Sequence, residues 1–147
     1  MDWIILFVVN WILFLLLKGW KGIKANIWCG LLAVAMQLSI DTQAMEHGYY
    51  KVDNKVLGMW GSSFFFVLGP VLVIGILLAK YHPQKRLFSI LHVIILGGLY
   101  SLQEMVLLFR KDLTYTNWNY TDSLVVNFAA IAILSWFSIV VLKKKGV

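Results

Sequence analysis

The sequence predicts an all-α fold, an integral membrane helical bundle of about five transmembrane helices with its N-terminus outside and its C-terminus cytoplasmic. Three observations predict it. Of 147 residues, 61% are hydrophobic and only 14% charged, against roughly half and a quarter in soluble domains. The mean hydropathy of +0.80 is gathered into runs separated by charged clusters, so lipid is the natural solvent for most of the surface. Finally, nine of the thirteen Lys and Arg residues fall on one side, in alternate loops that hold no Asp or Glu.

The runs are Trp3–Leu17, Ala25–Ile40, Leu57–Ala79, Leu87–Phe109 and Ser123–Leu142, read as five helices of a single transmembrane domain spanning residues 1–147. The last three are about as long as a bilayer core requires, roughly 20 residues at 1.5 Å each. The first two are shorter, and meet that thickness by thinning the bilayer or snorkelling their lysines. A cleaved signal peptide is the alternative for the first run. Asp2 precedes that run, lysines follow it and no small-residue cleavage site is visible, so a retained helix is expected. Strands are not expected, because the runs show no period-2 alternation and are too long for barrel strands. In the third run, Gly69-Pro70 predicts a kink, with the Phe66 carbonyl losing its intrahelical donor.

The loops assign the sides. Lys18, Lys21 and Lys24 follow the first run, Lys80, Lys85 and Arg86 the third, and Lys143, Lys144 and Lys145 the fifth. The opposite loops carry Lys51, Lys55, Arg110 and Lys111 together with Asp2, Asp41, Glu46, Asp53, Asp112 and Asp122. Every hairpin therefore obeys the positive-inside rule with the N-terminus out. Trp3, Trp20, Trp60, Tyr81, Trp118 and Tyr120 stand near run ends, where amphipathic rings prefer the headgroup layer. The net charge of +6 forms no face that could follow a phosphate backbone, which excludes nucleic acid as a partner. The lipid bilayer is the expected partner, with a membrane protein or a second copy of the chain as a further one. Cys29, the single cysteine, has no partner at metal spacing and is expected to pack.

Glu104 is the one acid well inside a run, about a turn and a half from the outer end of the fourth helix. Such residues face the protein interior or a water-filled cavity, because lipid exposure costs up to about 3 kcal/mol even on permissive scales. Gly97, Tyr100, Ser101 and Glu104 share one helical face, joining a small residue, two hydroxyls and a carboxyl. Gln103 and Gln37 add amides at similar depth, Asp41 lies one turn beyond Gln37, and Ser62, Ser63 and Asn127 fall near the outer ends of their helices. Polar groups thus concentrate in the outer half, leaving mainly His92, Ser135 and Ser138 within the inner half. A polar pocket opening outward is expected, with Glu104, Tyr100, Ser101, Gln103, Gln37 and Asp41 as candidate ligand-binding residues. Interhelical hydrogen bonding is the competing account of the same residues.

No metal site is expected, because His47, His82 and His92 fall on an outer loop, an inner loop and a helix. Glu46-His47 lacks the HExxH spacing, and no Ser/His/Asp set, phosphate-cradling glycine loop or paired intramembrane carboxylates points to catalysis or a cofactor. Asn119-Tyr120-Thr121 matches a glycosylation sequon, a pattern short enough to arise by chance.

Asp2-Trp3, Gly19-Trp20-Lys21, Asp41, Tyr49-Tyr50, Glu104 and Leu113-Thr114-Tyr115-Thr116-Asn117-Trp118, with a final helix and basic tail, resemble an uncharacterised family of small multi-pass membrane proteins from endospore-forming Firmicutes. Lys111 or Asp112 stands where that family has a glycine. The resemblance implies a bacterial cytoplasmic membrane and no activity. Three functions compete. The first is a binding or accessory subunit with an outward pocket for a small polar or cationic ligand or a partner helix. The second is a channel or transporter component acting as an oligomer. The third is a lipid-modifying enzyme using Glu104 as acid or base.

Overall fold

The computed structural model describes residues 2–53, 57–59, 62–83 and 85–142. Lys55, Trp60 and the Lys143-Lys144-Lys145 cluster, used above for loop charge and interface placement, lie outside them. The chain is mostly helical, 75%, with five helices: α1 (Asp2–Leu16), α2 (Ile23–Glu46), α3 (Phe64–Lys80), α4 (Arg86–Phe109) and α5 (Tyr120–Val140). Three of them, α2, α4 and α5, are long and apolar enough to cross a membrane, whereas α1 and α3 are shorter apolar helices.

Two expectations about length are therefore corrected. Helix α2 does not stop at Ile40 where the apolar run ends. It continues through Asp41-Thr42-Gln43 to Glu46, because the backbone ladder does not depend on hydropathy and the Asp41 side chain points inward, where it is buried. Conversely, α3 begins at Phe64, and part of Leu57–Ser63 is extended. There β2 (Gly58–Met59) pairs antiparallel with β3 (Ser62–Ser63).

A second short pair, β1 (Tyr50–Val52) with β4 (Leu113–Tyr115), joins the α2–α3 connection to the α4–α5 connection. The expectation of no strands fails at these connections, since pairing lets polar backbone outside the helices satisfy its own hydrogen bonds. The register sets Tyr50 opposite Tyr115, Lys51 opposite Thr114 and Val52 opposite Leu113. Alternation then buries Val52 and Leu113 and leaves Lys51 and Thr114 exposed.

Helix α3 is the hub. Val73 through Ala79 are all buried, and the other four helices pack around it. Its contact with α2 is backbone to backbone: a Cβ on Gly75 would lie 2.7 Å from the Gly30 Cα and 3.1 Å from the Cys29 carbonyl oxygen. Pro70 is accommodated by a π-helical widening over Val67–Val71, a common response to a disrupted i→i−4 ladder. The neighbouring-helix donor found here serves the Leu68 carbonyl, which accepts from the Trp11 indole at 3.1 Å.

The outer surfaces are apolar. Helix α4 exposes Phe88, Ile94, Ile95, Leu102 and Phe109 while burying Gly97, Tyr100, Ser101 and Leu107. Small and polar groups inside with large apolar ones outside is the arrangement suited to a hydrocarbon solvent, where close packing and hydrogen bonds hold helices together. Gly97 shows the close packing, for a Cβ there would meet the Phe128 ring at 2.4 Å. The start of α5 is fixed by a capping box, with Asn119 Oδ1 accepting from the Asp122 amide at 3.0 Å and Asp122 Oδ2 from the Asn119 amide at 3.2 Å.

Candidate functional site

A cavity of ≈ 70 Å³ lies among α2, α3, α4 and α5 beneath the β1–β4 pair. Its upper wall is polar and aromatic, with Asp41, Glu104, Tyr50, Tyr100, Tyr115 and Trp118. Its floor is apolar, built from Ala33, Val71, Ile74, Ala130, Ile131 and Leu134. Below Leu134 the helices close, since Cys29 Sγ lies 3.6 Å from Ser138 Oγ and 3.8 Å from the Leu134 carbonyl oxygen.

Asp41 ends a hydrogen-bonded chain. Tyr100 donates to Gln37 Oε1 at 2.5 Å, Gln37 Nε2 donates to Asp41 Oδ1 at 2.8 Å, and the Tyr50 hydroxyl donates to the same oxygen. Burial, and then the adjacent Asp41 carboxylate, push the Tyr50 phenol above its ordinary range, so it remains a donor. Glu104 is differently placed. Tyr115, Ser123 and Asn127 surround its carboxyl group, yet Oε2 is buried without a hydrogen-bond partner among the described residues. Tyr115 and Trp118 also meet Ser123: the phenol is 2.8 Å from Ser123 Oγ, and the indole donates to that oxygen at 2.6 Å.

Of the six candidate residues, the structure brings Glu104, Tyr100, Gln37 and Asp41 to the cavity wall. Ser101 lies behind the wall, where its hydroxyl accepts from Asn127 Nδ2 at 3.2 Å and its carbonyl from Tyr120 at 2.7 Å. Gln103 is not brought there. One residue along a helix is a rotation of about 100° from Glu104, and this turns Gln103 toward α1, where its Oε1 accepts from Asn10 Nδ2 at 2.9 Å. Ser62 and Asn127 line the cavity, while the buried Ser63 does not. Sequence reasoning missed Tyr50, Tyr115, Trp118 and Ser123 as wall residues. The alternation of Tyr50-Lys51-Val52 and Leu113-Thr114-Tyr115 was the available signal.

The inner half also differs from expectation. His82 and His92, assigned above to separate elements, meet with ring centroids 5.6 Å apart. His82 Nε2 is 2.6 Å from Ser135 Oγ, and His92 Nε2 is 3.1 Å from the Leu78 carbonyl oxygen. Among the described residues, no three of His, Cys, Asp and Glu are grouped to hold a metal ion. No protein-family model matches the chain, and neither a curated protein nor a solved structure does.

Proposed function

We propose that the chain is a multi-pass membrane protein, N-terminus out and C-terminus in, that binds a small ligand from the outer side in the cavity walled by Glu104 and Asp41. The observation that carries this reading is the cavity itself: two carboxyl groups are retained at its wall, one with an oxygen left without a partner, in a molecule whose outside is apolar. Buried carboxyls are costly unless paired or hydrated, so their retention argues for use. The sealed inner half favours binding over conduction. Resemblance to the small multi-pass proteins of endospore-forming Firmicutes is the ground for proposing a bacterial cytoplasmic membrane.

Single cysteines test orientation and access together. In a Cys29→Ser background, Lys51→Cys and Asn117→Cys should react with an impermeant thiol reagent in intact cells, and Lys85→Cys should react only after lysis. Asn127→Cys, on the cavity wall, should react from outside with a small cationic methanethiosulfonate. Labelling of Lys85→Cys in intact cells would invert the topology. An inert Asn127→Cys beside a reactive Lys51→Cys would remove the outward pocket.

A further inference from the structure

We propose that the ligand is a protonated alkyl amine, its ammonium group at the Asp41 and Glu104 wall and its hydrocarbon tail on the apolar floor. This rests on the outward pocket proposed above. Charge is the first argument, because the cavity is lined by two acids and, among the described residues, by no Lys, Arg or His. A cation is the occupant that favours both carboxyls in their ionised form.

Hydrogen bonding points to the same occupant. Asp41 Oδ1 already accepts from Gln37 and Tyr50, whereas the buried Oε2 of Glu104 accepts from nothing among the described residues. The group that completes the site has to donate, and an ammonium N–H does so with charge assistance. Aromatic side chains also line the cavity at this level, Tyr50, Tyr100, Tyr115 and Trp118, and aromatic rings attract cations.

The third argument is the floor. From Asn127 to Leu134 the wall descends roughly 10 Å along α5, and Val71, Ile74, Ala130 and Ile131 line that depth. An inorganic cation would leave this surface unused, while a short alkyl tail covers it.

The test is calorimetric titration of the full chain in maltoside micelles at pH 7 with hexylammonium, methylammonium, hexyltrimethylammonium and hexanol. Hexylammonium should bind tightest, by at least about tenfold over methylammonium, since each buried methylene contributes roughly fourfold. Glu104→Gln should weaken hexylammonium about tenfold or more, and Asp41→Asn should weaken it by an independent route. Ala130→Phe, which fills the floor, should remove the tail's gain, bringing hexylammonium to the level of methylammonium. The melting midpoint of each variant establishes that it folds.

Equal binding of hexanol, blocked by Ala130→Phe, would overturn the amine and leave the pocket standing. Equal binding of hexyltrimethylammonium would overturn the donated hydrogen bond to Glu104. If no probe binds, or if a folded Ala130→Phe changes no titration, the pocket reading falls together with the amine.

Discussion

The half of the bundle around Asp41 and Glu104 and the half around His82 and Ser138, proposed as outer and inner, are built from similar material and end differently. Both hold buried hydroxyls, amides and titratable groups between helices. In the inner half several of these groups serve one another: His82 meets Ser135, His92 meets the Leu78 carbonyl, and Cys29 meets Ser138. Glycines on α2 and α3 bring the backbones into contact just outward of that layer. In the outer half the helices stand apart around a cavity, and Glu104 keeps a buried oxygen without a partner among the described residues. Polar burial alone therefore does not mark a site. What separates the two halves is whether backbone contact has closed the space between helices, since Asn26 Oδ1 at the inner end of α2 is also buried without a hydrogen-bond partner among the described residues.

The contrast breaks most severely at Gly75. Gly75→Leu places a side chain where the Gly30 Cα and Cys29 carbonyl already lie, and overpacking of this kind costs about 3 kcal/mol or more. The purified variant should lose its cooperative melting transition, and a wild-type transition would show that the α2–α3 contact is not close. Next in size is Asp41→Ala, which removes the acceptor shared by Gln37 and Tyr50 and should destabilise by about 1–2 kcal/mol. Glu104→Gln should leave the melting midpoint unchanged or raised, because it removes a charge without breaking an equivalent network. Equal destabilisation by both variants would make Glu104 structural glue like Asp41.

Acid should act on the inner half. Burial holds the His82 imidazole below its ordinary range, so the folded state binds this proton less readily than the unfolded chain. The contribution is full above about pH 6.5, the unfolded histidine value, and is lost as pH falls through the interval between that value and the lower folded one. His82→Asn should flatten the pH dependence of the melting midpoint in this range. The smallest effect belongs to Gly98, where an added Cβ meets nothing within 4 Å. Gly98→Ala should be neutral or stabilising by up to about 1 kcal/mol, which sharpens the contrast with Gly75 on a helix of the same bundle.

Much of this was legible in the residues. Apolar runs gave five helices, and the helical face of Tyr100 and Glu104, with Gln37 and Asp41 one turn apart, gave four residues of the cavity wall. Depth was readable because position along an apolar run is position along a helix axis. The turn of Gln103 toward Asn10 was not readable, since a hydropathy run records depth and not azimuth.

Sequence by itself determined the apolar outside, the helical class and the positions of the carboxyls along their helices, because these follow from composition and local periodicity. Tertiary structure decided what those carboxyls meet. Tyr50 and Tyr115 reach the wall only through the β1–β4 register, and His82 finds His92 only through the packing of α3 against α4 and α5. The closing of one half and the opening of the other depend on which surfaces of α2, α3 and α5 touch. Contacts between residues tens of positions apart are set by the whole arrangement of helices, and no local pattern encodes them.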